Sequence, residues 1–222
     1  MAPSSRRILR PVLSDPDPRR VIEKYRRHAA GYDASARRTQ GVRERCIGLL
    51  ALRPGERVLD VACGTGLSFA RLVEGVGAGG EVVGVEVSPE MLELARARVA
   101  HAGWANVRLV QASMEEAPLE GLFDAVLFHY THDVLQTPRA LERIFAHARP
   151  GARVAVAGVK HPPAWLLPLR LLRFWKARPY VTTFRGLDRP WAPLEPYVEG
   201  MAVQPVMLGT NYLAHARARI RP

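Results

Sequence analysis

From Arg57 to Val159 the chain alternates short apolar runs with longer stretches in which apolar residues recur every three or four positions. The runs Arg57 to Cys63, Glu81 to Val87, Val107 to Ala112, Phe123 to Tyr130 and Ala152 to Val159 are bounded by turn residues and predict strands. Between them the spacing predicts helices over Leu67 to Val76, Pro89 to Ala100 and Pro138 to Ala148. The last would have Thr137 as N-cap, Pro138 at its first position and Pro150-Gly151 closing it. Near-continuous apolar strands interleaved with helices are the signature of a parallel sheet covered on both faces, an α/β fold.

The flanks read differently. Residues 1–18 carry Pro3, Pro11, Pro16 and Pro18 and predict a flexible leader. Arg19 to Ala30 predicts a basic helix ending at Gly31, and Val42, Cys46, Leu49 and Leu50 share one face of a second helix. At the other end, Met201 to Leu208 and Asn211 to Arg219 flank Gly209-Thr210 and predict an antiparallel hairpin. Pro205 confines the first of these strands to a sheet edge. The organisation expected is the leader followed by one domain over 19–222. Within it, 19–52 would form a helical cap, 53–160 the core, and 161–222 a variable lid and terminal hairpin.

Composition narrows the class. At 222 residues, 48% hydrophobic and 24% charged, the chain is neither disordered nor fibrous. The most apolar stretch, Trp165 to Trp175, is broken by Pro168, Arg170 and Arg173, so it does not read as a membrane span. As an amphipathic helix it could wall an acceptor cleft, cover the sheet or lie on an anionic membrane. The amino terminus lacks the apolar run of a secretory signal. Cys46 and Cys63 cannot form a disulfide framework, which points to a reducing, cytoplasmic home. The net charge of +11 first suggests a nucleic-acid binder. Its distribution is uneven, at +8 through Arg57, −3 from Val58 to Lys160 and +6 thereafter. Any anionic partner, a membrane surface included, would therefore meet the flanks rather than the centre. The alternative is a plain preference for arginine, with 29 Arg against 3 Lys.

The segment that carries chemistry is Val58-Leu-Asp-Val-Ala-Cys-Gly-Thr-Gly66, an apolar strand bearing one acid and leading into a glycine turn. The glycines permit a tight bend and close backbone approach to a ligand. Phe69 stands where a dinucleotide fingerprint needs its third glycine, and no lysine follows as in a phosphate-cradling loop, so neither pyrophosphate nor a nucleoside triphosphate is the expected guest. Glu86, twenty residues beyond Gly66 at the end of the second strand, can accept both hydroxyls of a ribose and would repel phosphate. Together they describe a site for an adenosine-type ligand that brings a cationic or neutral group to the glycine turn.

These residues resemble the class I S-adenosylmethionine-dependent methyltransferases. VLDVACGTG, VVGVEVSPEML, VQASMEEAPL, FDAVLFHYTHDV and ARPGARVAV follow the family's five motifs in order, over about Tyr25 to Val159. Within the family the chain looks most like the quinone and phospholipid methyltransferases, whose members often carry a pair such as Tyr32-Asp33. The resemblance implies a Rossmann-like, seven-stranded, mostly parallel sheet with helices on both faces, and S-adenosylmethionine as cofactor, leaving S-adenosylhomocysteine. It implies that Asp60 orients the glycine turn and the ammonium end of the cofactor, with Ala62, Gly64, Thr65 and Gly66 along the methionine portion. Glu86 would hold the ribose, and Val87 and Met91 would pack on the adenine. Ser113 replaces an aspartate that usually accepts from the adenine amine, with Met114 and Glu115 beside it as alternatives. His129 would lie beside the sulfonium and Tyr32 would close over the cofactor.

The expected reaction is methyl transfer to a small or amphipathic acceptor, at nitrogen, oxygen or carbon. Candidates for acid-base help are His129, Tyr130, His132 and Asp133, at the carboxyl end of the fourth strand, where such sheets place ligands. His132 could equally begin the next helix without touching a substrate. His129, His132 and Asp133 do not converge by spacing, so no metal is expected. Phe128 to His132 contains neither the cysteine of pyrimidine methylation nor the acid-or-amide and two prolines of adenine methylation, which leaves nucleic acid without its usual marks as substrate. Two other readings stay open: a lipid or quinone methyltransferase at the membrane surface, favoured by the basic flanks, and a non-catalytic cofactor-binding protein, suggested by Ser113.

Overall fold

A computed structural model of the chain describes residues 33–34, 36–161 and 186–219. The leader, the helix expected over Arg19 to Ala30, Tyr32 and the Trp165 to Trp175 segment lie outside them. The described helices are α1 (Gln40–Leu49), α2 (Phe69–Val76), α3 (Pro89–Ala102), the short α4 (His132–Leu135) and α5 (Pro138–Ala146). The strands are β1 (Arg57–Val61), β2 (Glu81–Glu86), β3 (Val107–Gln111), β4 (Phe123–His129), β5 (Ala148–Val159), β6 (Val198–Val206) and β7 (Asn211–Ala218).

They form one seven-stranded sheet in the order β3-β2-β1-β4-β5-β7-β6. The first five strands are parallel, and β7 runs antiparallel to both β5 and β6. From β1 the chain steps outward through β2 and β3, then returns to lay β4 on the other side of β1. The direction of winding reverses at β1 and β4, and doubly wound sheets bind ligands beyond the carboxyl ends of such strands.

Alternation along the strands builds two apolar layers. On β4, Phe123, Val126 and Phe128 enter one core with Leu141, Ile144 and Phe145 of α5. Ala125 and Leu127 face the other, with Cys46 of α1, Leu72 of α2 and Leu92 of α3. Among the described residues no helix is long and apolar enough to cross a membrane.

Several boundaries differ from the sequence pattern for visible reasons. β1 and β4 stop short of Cys63 and Tyr130 because Ala62 and Tyr130 take left-handed conformations, with φ of 48° and 60°. β5 begins at Ala148, so Pro150-Gly151 lies inside a strand and does not close α5. The partners on β4 jump from Phe123↔Ala148 to Ala125↔Arg153, so the extra residues bulge out, with Gly151 at φ 75°. Thr137 occupies the N-cap position of α5, but its hydroxyl donates to the carbonyl of Asp133 at 2.9 Å instead of capping. α3 extends to Ala102, where Gly103 ends it in the left-handed region. Pro205 lies on β6, the outermost strand, as its chemistry requires.

α2 is held against the glycine turn at Gly66, where an added Cβ would fall 2.4 Å from the Phe69 ring and φ is 76°. Gly66→Ala is expected to lower stability by about 1 to 3 kcal/mol, through backbone strain and the clash together. Adding Phe69→Leu should recover part of that loss in urea unfolding; full additivity of the two losses would show that the ring is not the obstacle.

Candidate active site

The alternation that sorts the apolar residues also sorts the polar ones. Asp60 shares its face of β1 with Val58, and His129 shares its face of β4 with Ala125 and Leu127. Both therefore point toward α1 and α2. Asp60 is 1% exposed, and neither carboxylate oxygen has a hydrogen-bond partner among the described residues. Burial pushes its pKa up to about 7; nearby Arg43, in α1, opposes the shift and the charge of Glu86 adds to it. His129 is also buried, with Nδ1 2.9 Å from the Ser68 hydroxyl. Burial and the Arg43 charge hold its pKa well below the usual range, so the imidazole stays neutral. The Arg43 guanidinium lies 5.0 Å above the centre of the Tyr130 ring.

The glycine turn crosses the carboxyl ends of β1 and β2. Gly64 takes φ 57° and its N–H donates to Glu86 Oε2 at 3.0 Å. Glu86 Oε1 accepts from Ser88 N–H at 2.8 Å, and the Ser88 hydroxyl caps α3 by accepting from Met91 N–H at 3.3 Å. Burial pushes the Glu86 pKa up while the N–H groups of Ser88, Gly64 and Val87 draw it back. Each carboxylate oxygen keeps a lone pair for a further donor, such as a vicinal diol. Burial, with Asp60 and Glu86 nearby, raises the Cys63 thiol well above its usual range, which removes it as a nucleophile.

A cleft enclosing about 860 Å³ out to its open mouth lies over these loops. Of the residues singled out in the sequence, Ala62, Gly64, Glu86, Val87, Met91, Ser113, Met114, Glu115, His129, Tyr130 and Asp133 line it. Asp60, Thr65, Gly66 and His132 do not. Asp60 sits beneath the turn, and the turn's N–H is held by Glu86 instead. His132 is the first residue of α4. The sequence reading missed Val85, Ala112, Thr131, Val134 and Thr137 in the wall, and Arg43 and Ser68 behind it. Thr131 and Val134 lay in a segment read only for its titratable groups, and Thr137 was read only as a helix cap. Arg43 was one arginine of many, and only strand parity, which points Asp60 at α1, could have selected it. Among the described residues no cluster of three or more His, Cys, Asp or Glu is arranged to hold a metal.

Comparison with known proteins agrees with this geometry. A family model described as a methyltransferase domain matches residues 58–151. Over 113 residues the chain is 36% identical to a demethylmenaquinone methyltransferase of Lactococcus lactis, an alignment covering 49% of this chain and 44% of that protein. A demethylmenaquinone methyltransferase of Symbiobacterium thermophilum is 28% identical over 194 residues, 76% of this chain and 77% of the other. A solved structure of a SAM-dependent methyltransferase from Aquifex aeolicus superposes with a TM-score of 0.62 at 23% identity, covering 92% of this chain and 100% of that one.

Asp60 makes stability depend on pH with a defined sign. Its folded pKa, about 7, lies above its ordinary 3.8, so the folded state binds more protons between these values. The contribution is fully present below about pH 4 and is lost as pH rises to about 7. Relative to Asp60→Asn, the ligand-free protein should lose on the order of 2 to 4 kcal/mol between pH 4 and pH 8 in urea unfolding. Parallel pH profiles for the two proteins would place that titration elsewhere.

Proposed function

Because the chain belongs to the class I S-adenosylmethionine-dependent methyltransferases, we propose that it moves a methyl group from S-adenosylmethionine to a small amphipathic acceptor of the reduced-quinone type. The observation that carries the proposal is the glycine turn clamped to Glu86 at the mouth of β1 and β2, with the carboxylate in the cleft wall. The names of the relatives, demethylmenaquinone methyltransferases, support the acceptor class.

The residues fit such a cofactor. Glu86 would accept the ribose hydroxyls, Val87 and Met91 would pack on the adenine, and Ser113, Met114 and Glu115 would border its edge. Gly64 would let the backbone approach the methionine portion, where a Cβ would already touch Met91 at 3.6 Å. The buried Asp60 carboxyl beneath the turn, its pKa raised to about 7, would ionise more readily against an ammonium and a sulfonium and so supply the negative charge they favour. Bound there, the cofactor supplies an electrophilic methyl carbon with a neutral thioether as leaving group. His129, buried and held neutral, would add no positive charge beside that carbon. Tyr130 and Asp133 also line the cleft; there Asp133 would take a hydroxyl proton from the acceptor and Tyr130 would orient its ring. The chain's main contribution would be to align donor and acceptor in this cleft.

Incubation with methyl-labelled S-adenosylmethionine and a panel of a short-chain naphthoquinol, a catechol and a primary amine tests this. Label in the quinol is expected. Label confined to the amine would reject the acceptor class, and cofactor binding without any product would favour a binding protein. The +8 and +6 flanks support a second reading, an acceptor presented at a membrane surface. Transfer to a vesicle-borne quinol should then rise with anionic lipid and fall with salt; insensitivity to both would remove it.

Glu86→Ala should weaken S-adenosylhomocysteine binding by about 1 to 3 kcal/mol, the scale of a lost charged hydrogen bond. Unchanged calorimetric affinity would move the ribose away from this carboxylate.

A further inference from the structure

The glycine turn is gripped from two sides. Glu86 holds it from within the cleft, through the Gly64 N–H. On the outside, Asp33 ahead of α1, Thr65 in the turn and Arg98 on α3 converge. Thr65 Oγ1 donates to Asp33 Oδ1 at 2.6 Å, and Arg98 Nη2 donates to Asp33 Oδ2 at 2.6 Å. Arg98 Nε donates to the backbone carbonyl of Thr65 at 2.9 Å, which closes the ring. The Gly66 N–H donates to the Cys63 carbonyl at 3.0 Å, so the peptide unit joining Thr65 to Gly66 is bonded at both its oxygen and its hydrogen. With its plane fixed, the adjoining Gly64 backbone is presented to the cleft in one orientation.

We propose that Asp33 is a positioning residue for the glycine turn, acting through Thr65 and Arg98 to hold it in the shape that receives the methionine end of the cofactor. This rests on the cofactor reading above and extends it to a residue outside the cleft. Fold stability is a weaker account of the ring. The Asp33 and Arg98 side chains are 46% and 34% exposed, and ion pairs so open to water contribute little. Thr65 is 1% exposed, however, so its hydroxyl and carbonyl must find partners within the protein, and Asp33 and Arg98 are those partners. A ring half in solvent and half buried can open without unfolding the sheet, yet the turn loses its reference when it does.

S-adenosylhomocysteine suits the test because it lacks the sulfonium charge. Asp33→Ala and Arg98→Gln should each speed its dissociation about fivefold, and the double variant should be no faster than either, because one ring is broken once. Thr65→Val should behave likewise and Thr65→Ser as wild type. The wild-type dissociation rate should rise with salt, and that of Asp33→Ala should not. Unfolding temperature should fall by only a few degrees, the scale of one buried hydroxyl or carbonyl left unpaired, and not by the larger amount that loss of the core would cause. A wild-type dissociation rate and salt response in Asp33→Ala would overturn the proposal, as would a large fall in its unfolding temperature. Hydrogen exchange at the Gly66 amide, read without ligand, separates the two failures. If the wild type binds no S-adenosylhomocysteine, the cofactor reading fails; faster exchange in Asp33→Ala still supports the ring, and unchanged exchange rejects it.

Discussion

One buried carboxylate sets the geometry of two turns. Glu86 is 6% exposed and accepts one backbone N–H from the turn after β1 and another from the turn after β2. The two turns are neighbours only because β1 and β2 run parallel and end together, with Val61 opposite Val85. Burying such a group costs free energy that its hydrogen bonds must offset, and it therefore tolerates few alternative arrangements of those loops. The left-handed Gly64, the cap on α3 by Ser88 and the seating of Met91 in the cleft wall all follow from where this side chain sits.

Behind the cleft lies a second, less satisfied polar layer. Strand parity places Asp60 and His129 on the α1 side, where Arg43 and Ser68 meet them. In an apolar layer otherwise built from Val58, Leu72, Leu127 and their neighbours, an unpaired acid, a neutral imidazole and a buried arginine disturb the packing. Such departures from local consistency gather where a fold serves a ligand. The left-handed φ of Ala62 and of Tyr130, at the ends of β1 and β4, belong to the same pattern.

The parallel core was readable because its strands are buried on both faces and so appear as unbroken apolar runs, and the glycine turn because its bend needs residues without side chains. Pro205 disclosed the edge strand correctly. Pro150-Gly151 misled, since the pair that ends helices also makes bulges, and the choice is decided by pairing with β4 rather than by local sequence. The inner wall of the cleft was legible where backbone motifs dictate it. Arg43, Ser68 and Arg98 were not, because their work depends on which face of a neighbouring element they meet, and sequence spacing does not carry that across the sheet. His132 and Asp133 are adjacent in sequence, yet only Asp133 reaches the cleft wall, as the first turn of α4 sends successive side chains in different directions.

The outer margin of the sheet has its own consequence. β6 carries Pro205, which offers no backbone donor, and a register break near Gly200, whose φ is 64°. Both features blunt a strand as a template for pairing with another chain. Backbone-to-backbone growth of the sheet is thereby discouraged on the hairpin side.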